Sequence, residues 1–161
     1  MAAMSSSDLP SALATVIRVD ARQCEVLRDE ETEPRAVRMR GRLWEAETRD
    51  KSPVAVGDRV RLEADEDGEA IAEVLPRRNE FGRRAAGEDV RRQLLASNVD
   101  QIVLVSCFGT PPFSSVTTDR ILATASFADI PALLVLNKTD RAKPRKIDKI
   151  AGTYLDLGMP V

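Results

Sequence analysis

PALLVLNKTD, residues 131–140, sets a short apolar run against a polar tetrapeptide. ALLVL reads as a buried strand of a parallel sheet, and such sheets carry their ligand-binding loops at the C-terminal ends of the strands. Asn137, Lys138, Thr139 and Asp140 fall at that end. Upstream, DQIVLVSC (100–107) is a second nearly continuous apolar run. Between the two runs lies SSVTTDRILATASFADI (114–130), whose Ile121, Leu122, Ala125 and Ala128 recur at helical spacing. The unit is therefore β-α-β, with a right-handed crossover expected. Downstream, RAKPRKIDKIAGTYLDLG (141–158) predicts another helix. Pro144 suits its first turn, Ile147, Ile150, Ala151, Tyr154 and Leu155 form its stripe, and Gly158 suits its C-terminal cap.

The tetrapeptide has the chemistry of a guanine reader. A carboxylate at Asp140 accepts two hydrogen bonds, from the ring N–H and the exocyclic amine of guanine; adenine presents an acceptor at that ring position and no amine there. Asn137 can meet the opposite edge of the base. The Lys138 methylenes can lie on the purine face with the ammonium in water, and Thr139 reads as a spacer. The plainer reading is a polar turn after a strand.

A guanine reader calls for a phosphate site. The nearest approach to GxxxxGK[ST] is Gly82 to Gly87, but Glu88-Asp89 follow where Lys-Ser/Thr are needed, and carboxylates repel phosphate. The DxxG at 65–68 falls in a predicted hairpin turn and reads as chance. Three explanations stand: an accidental NKTD, a degenerate nucleotide binder, or a phosphate loop beyond residue 161. A sheet of two strands also reads as the start of an α/β domain, and it favours the third.

The first half has a different grammar. ALATVIRV, CEVLR, RAVRMRG, GDRVRL and EAIAEVL are short alternating runs separated by turn-rich segments, which predicts a small antiparallel barrel, either an OB-fold or an SH3-like one. In VAVGDRVRLE, Val54, Val56, Val60 and Leu62 share one parity, and Gly57-Asp58 supplies a turn. Asp67-Gly68 signals a tight hairpin. Residues 77–97 carry Arg77, Arg78, Arg83, Arg84, Arg91 and Arg92 with little periodicity. They read as an Arg-rich linker whose charge serves either phosphate contact or solvation. Residues 1–11 read as a flexible tail.

The chain of 161 residues, 43% hydrophobic and 31% charged, has the composition of a soluble globular protein. Its net charge of −2 and pI near 5.4 supply no general attraction to a polyanion, so such a partner requires a local basic patch. With no histidine and two lone cysteines, Cys24 and Cys107, no metal site is expected in this chain. The cysteines read as buried thiols in a reducing, cytoplasmic setting. No apolar run is long enough to cross a bilayer, and no membrane partner is expected.

Taken in order, MRGRL, VAVGDRVRL, IAEVLPRRNEFGRR, LLASNVDQIVLV, TDRIL, PALLVLNKTD and a helix closing in LDLG resemble the circularly permuted ribosome-biogenesis GTPases called RsgA or YjeQ. The resemblance covers residues 12–161. It implies an α+β two-domain chain: an OB-fold barrel over 12–76, the linker over 77–97, and the first part of a P-loop-type GTPase domain over 98–161.

It further implies a hydrolase that binds GTP and GDP and acts late in maturation of the small ribosomal subunit, as a monomer that touches rRNA through the barrel. Magnesium in the complete protein and zinc in a C-terminal module are also implied, both held by segments downstream of NKTD. What carries over here is guanine contact at Asn137, Lys138, Thr139 and Asp140, and no catalytic residue. Without a phosphate loop, the 161 residues alone are expected to be inactive.

For rRNA the candidates are Arg38, Arg40 and Arg42, which share one strand face, with Arg77, Arg78, Arg83 and Arg84. Trp44, the only aromatic before Phe81, reads as core or RNA contact. The alternative function is a non-enzymatic OB-fold RNA-binding module with a vestigial nucleotide-binding extension.

Overall fold

The computed structural model describes residues 12–20, 23–41, 43, 50–65, 68–84 and 91–161. The expected tail, Arg42 and Trp44 lie outside them. The chain divides into two compact units with the boundary between Asn98 and Val99.

The first unit holds five strands: β1 (Ala12–Val19), β2 (Cys24–Arg28), β3 (Arg35–Met39), β4 (Arg59–Asp65) and β5 (Gly68–Val74). They close in the order β1-β2-β3-β5-β4, with every pairing antiparallel except β3 to β5. This is the five-stranded OB arrangement rather than an SH3-like one. β1 closes the barrel because it serves two neighbours: residues 12–15 pair with β4, and residues 14–19 pair with β2 through a bulge between Val16 and Arg18. The hairpin at 65–68 pairs Asp65 with Gly68, and Glu66 and Asp67 between them are outside the described residues.

Alternation sends Ala14, Val16, Cys24, Val26, Val37, Val60, Leu62 and Ile71 inward to one cluster, which Val54 joins. Each Val, Leu or Ile buried there contributes roughly 1.5–3 kcal/mol of transfer free energy. Val56 departs from the expected parity and stays 40% exposed. The chain corners at Gly57, whose φ is +89°, so the alternation that continues into β4 does not reach back through the turn. A side chain at Gly57 would also collide with the Ser97 carbonyl oxygen.

That collision point marks where the sequence reading needs correction. Within residues 77–97, expected to be a linker, β6 (Glu80–Arg84) and β7 (Arg92–Ser97) form an antiparallel pair, with a bulge between Phe81 and Gly82. Bridges from Val56 to Ala96 and from Asp50 to Arg92 join this pair to the segment preceding β4. The segment belongs to the first unit.

The second unit runs β8 (Ile102–Cys107), α1 (Ser115–Phe127), β9 (Ala132–Asn137) and α2 (Pro144–Asp156). The two strands are parallel, in register from Ile102 with Ala132 to Cys107 with Asn137. Both helices pack on one face: Leu122 of α1 and Tyr154 of α2 meet Leu134, with Leu104, Ala132, Leu136 and Ile150 around them. On the other face Val103 and Val105 are 52% and 56% exposed, so β8 is covered on one side, not on both.

The helix ends follow the expected chemistry. Ser114 caps α1 by accepting from the Thr117 N–H at 3.3 Å. Pro144 opens α2. At its other end Met159 N–H donates to the Tyr154 carbonyl and Gly158 N–H to the Leu155 carbonyl, each at 2.9 Å, with Gly158 at φ +75°. That pair of bonds is a Schellman cap.

The Tyr154 hydroxyl donates to Asp119 at 2.7 Å and ties α2 to α1. Burial first, and then that bond, pushes the phenol up to about 12. A raised folded-state value stabilises the fold fully below the ordinary phenol value near 10. That contribution is lost as pH climbs through 10 toward 12. Tyr154→Phe is expected to cost roughly 1–2 kcal/mol at pH 8 and to lose less stability between pH 9 and 11.5 than the parent. Urea melts at pH 8, 9 and 11.5 check both, and equal alkaline losses would dismiss the bond.

Candidate functional site

The arginine candidates separate once their partners are seen. Asp58 has no exposed surface. Its Oδ2 accepts from the Ala55 N–H at 2.8 Å and the Arg77 Nη2 at 2.8 Å. Its Oδ1 accepts from Arg77 Nε at 2.7 Å and Ser97 Oγ at 2.5 Å. Four donors thus fill the carboxylate, two of them a guanidinium fork.

Arg77, its side chain 16% exposed, also donates to Glu80 at 3.0 Å and to the Pro53 carbonyl at 3.1 Å. Arg92 bridges Asp50 at 2.8 Å and Glu80 at 2.5 Å. Arg92 first, and Arg77 after it, hold the Glu80 carboxyl below the usual range. The guanidinium values rise, that of Arg77 through Asp58 first and then Glu80, that of Arg92 through Asp50 first and then Glu80. Arg77 therefore links Glu80 of β6 to Asp58 at the corner beside Gly57, and Arg92 of β7 is tied to Asp50.

Among the other arginines, Arg40 donates to Glu63 at 2.6 Å and to the Ala64 carbonyl at 3.0 Å. Arg78 donates to the Asn98 carbonyl at 3.1 Å, and Arg83 to Gln93 at 3.2 Å. Arg38, Arg78, Arg83 and Arg84 are exposed on the first unit. Sequence reasoning missed Asp58 and Asp50 as the partners of Arg77 and Arg92, and Ser97 as a further donor to Asp58; only GD at a turn hinted at Asp58.

The tetrapeptide sits as its sequence position implies, at the C-terminal end of β9. The Asn137 carbonyl accepts from the Phe108 N–H at 3.1 Å, so the ends of β8 and β9 are tied together. Asn137 Oδ1 accepts from the Lys138 N–H at 2.7 Å, leaving the amide's NH₂ as its remaining donor group. Lys138 is left-handed at φ +56°, and Thr139–Arg141 form a single 3-10 turn. All four residues are exposed, and Asp140 has one loose ion pair, to Arg141 at 3.9 Å with its side chain 79% exposed. Its carboxylate is thus open to two donors on the edge of a planar base.

The neighbouring loop after β8 approaches closely: a side chain at Gly109 would lie 3.1 Å from Arg141 Cδ. Phe108, 3% exposed, carries the Lys146 ammonium 5.9 Å from its ring centre. A cavity of about 340 Å³ opens between β8 and the start of α1, lined by Ser106, Cys107, Pro111, Phe113, Thr117 and Ile121 among others, and no residue of the tetrapeptide lines it.

Among the described residues no group of three or more His, Cys, Asp or Glu side chains could hold a metal ion, so the magnesium and zinc implied by resemblance find no ligand set there. Cys24 is buried and its thiol is pushed up to about 11, by burial first and then by Asp20 and Asp58; Cys107 is half-buried, and both are free thiols. Among the described residues no helix is long and apolar enough to cross a membrane.

Comparison with known proteins places these features together. Residues 74–161 match the family described as RsgA GTPase. A small ribosomal subunit biogenesis GTPase RsgA of Phocaeicola vulgatus is 36% identical over 116 residues, which is 70% of this chain and 37% of that protein. Its namesake from Variovorax paradoxus is 42% identical over 94 residues, 58% of this chain and 28% of that one. The chain thus spans well under half the length of these relatives.

Among solved structures, YjeQ from Thermotoga maritima superposes with a TM-score of 0.68 at 26% identity, over 94% of this chain and 50% of that one. YloQ, described as a circularly permuted GTPase, gives 0.64 at 25% identity, over 99% and 53%.

Proposed function

Because the chain belongs to the RsgA GTPase family, we propose that it is the base-reading and RNA-binding portion of a GTPase acting in late maturation of the small ribosomal subunit. The observation that carries the reading is the order of parts: a closed five-stranded barrel, then a two-stranded parallel sheet whose second strand delivers Asn137-Lys138-Thr139-Asp140. In an order of this kind the guanine reader is the first nucleotide-binding element, and the phosphate-holding loop follows it.

Asp140 takes the ring N–H and amine of guanine, Asn137 the opposite edge, and Lys138 covers the face through its methylenes. The chain's own residues supply recognition and exclude adenine. The sequence holds no GxxxxGK[ST] phosphate loop, so in this reading hydrolysis belongs to the complete protein rather than to these residues. On the barrel unit Arg38, Arg78, Arg83 and Arg84 face outward to rRNA phosphates, whereas Arg77 is spent on Asp58.

The test is the product of the complete coding region. It is expected to bind GTP at least about a hundredfold more tightly than ATP and to hydrolyse it faster when small ribosomal subunits are added. The 161 residues alone are expected to show no turnover. A complete product with no guanine preference would overturn the nucleotide reading, and one that binds subunits without any nucleotide would favour the RNA-binding module instead.

A further inference from the structure

Between residues 138 and 149 the chain carries six of its cations, Lys138, Arg141, Lys143, Arg145, Lys146 and Lys149, against two carboxylates, Asp140 and Asp148. This is the local basic patch that a chain of net charge −2 needs in order to hold a polyanion. The stripe of α2 that faces the sheet holds Ile150 and Tyr154. Arg145 and Lys149, one turn apart, fall on the opposite side, with Lys146 beside them, and all three are exposed. Among the described residues none of the three forms an ion pair, and Asp148 forms none either.

Their placement works against the helix. Lys143 is the N-cap residue and gives no capping bond, and the first turn holds no acidic side chain. Cations there oppose the positive end of the helix dipole. Apart from the contact of Lys146 with the Phe108 ring, local stability gives no reason for them, whereas an anion laid along this face satisfies both the side chains and the helix terminus. The spacing of Arg145 and Lys149, about 5–6 Å between Cβ atoms, is of the order of that between successive phosphates on one strand.

We infer that the outward face of α2, through Arg145, Lys146 and Lys149, is a second RNA-binding surface, which grips the phosphate backbone of ribosomal RNA independently of the barrel. That the RNA is ribosomal rests on the function proposed above; that the face binds an RNA backbone does not.

The experiment compares the chain with the Arg145→Gln, Lys146→Gln, Lys149→Gln triple variant on two probes, a generic RNA duplex and purified small ribosomal subunits, across a salt series. Glutamine keeps the helix propensity, so the thermal midpoint is expected to be unchanged or slightly higher. Binding to both probes is expected to weaken about tenfold or more near 100 mM salt, and the slope of log affinity against log salt to shrink by about 2–3, as for three lost phosphate contacts.

Equal affinity and slope for variant and parent on the duplex would overturn the inference whatever the subunits do. Loss on the duplex with no subunit binding by either protein would uphold the surface and overturn its ribosomal partner. If the parent binds neither probe, both readings fall.

Discussion

Asp58→Ala is expected to destabilise the first unit by roughly 3–5 kcal/mol, the cost of breaking a buried, hydrogen-bonded charge pair from one side. The substitution removes an acceptor that four donors share: Ala55 N–H, Ser97 Oγ and two nitrogens of Arg77. Glu80 still neutralises part of the Arg77 charge, so the loss reflects unsatisfied donors as well as charge. Against the 5–15 kcal/mol typical of a whole domain, it is enough to shift a large fraction of molecules out of the native barrel.

Urea unfolding followed through the barrel checks it, with Arg77→Met and the double variant completing a cycle. A coupling of about 1.5 kcal/mol or more between the two sites is expected. A loss for Asp58→Ala below about 1 kcal/mol would mean that water already competes for the carboxylate.

The second large effect is on selectivity. In the complete protein, Asp140→Asn is expected to weaken GTP binding by about a hundredfold, because two hydrogen bonds to a charged acceptor, each worth roughly 1.5–3 kcal/mol, are reduced to one neutral bond and one clash of donors. Xanthine nucleotides are expected to gain over the parent, since their carbonyl replaces the guanine amine and accepts from the new amide. Competition of GTP and XTP for the two proteins measures the inversion. The open position of Asp140, its side chain 79% exposed, means that stability should not move, and an unchanged GTP to XTP ratio would remove Asp140 from the base.

The barrel was legible because its short apolar runs mostly alternate with period two, β5 with Ala70, Ile71 and Ala72 all buried being the departure, and are bounded by turn residues. The second unit was legible because its apolar runs change period where strand gives way to helix. NKTD was legible as a linear motif. The pair β6–β7 was not. EFGRR is broken by a glycine at a bulge and buries no residue fully. RQLLAS buries only Ser97, and its pairing depends on charges more than 35 positions away in sequence, such as Asp50 with Arg92 and Asp58 with Ser97.

For the same reason the arginine-rich composition advertised an RNA surface at Arg77, where the fold uses it as a clamp. A guanidinium and its partner carry no signature in one dimension. The exposed face at Val103 and Val105 was hidden likewise, since an unbroken apolar run states that a strand is apolar on both sides, not what covers each side.

The dependence of Asp58 on Ser97 also sets a schedule. The last barrel strand ends at Val74, and Ser97 is about 23 residues later in the chain, a delay of roughly 1–5 s at ordinary rates of translation. Through that interval the five strands can have emerged while the carboxylate at their corner still lacks its final donor. Vectorial synthesis therefore finishes the barrel late, at the moment the first residues of the second unit begin to appear.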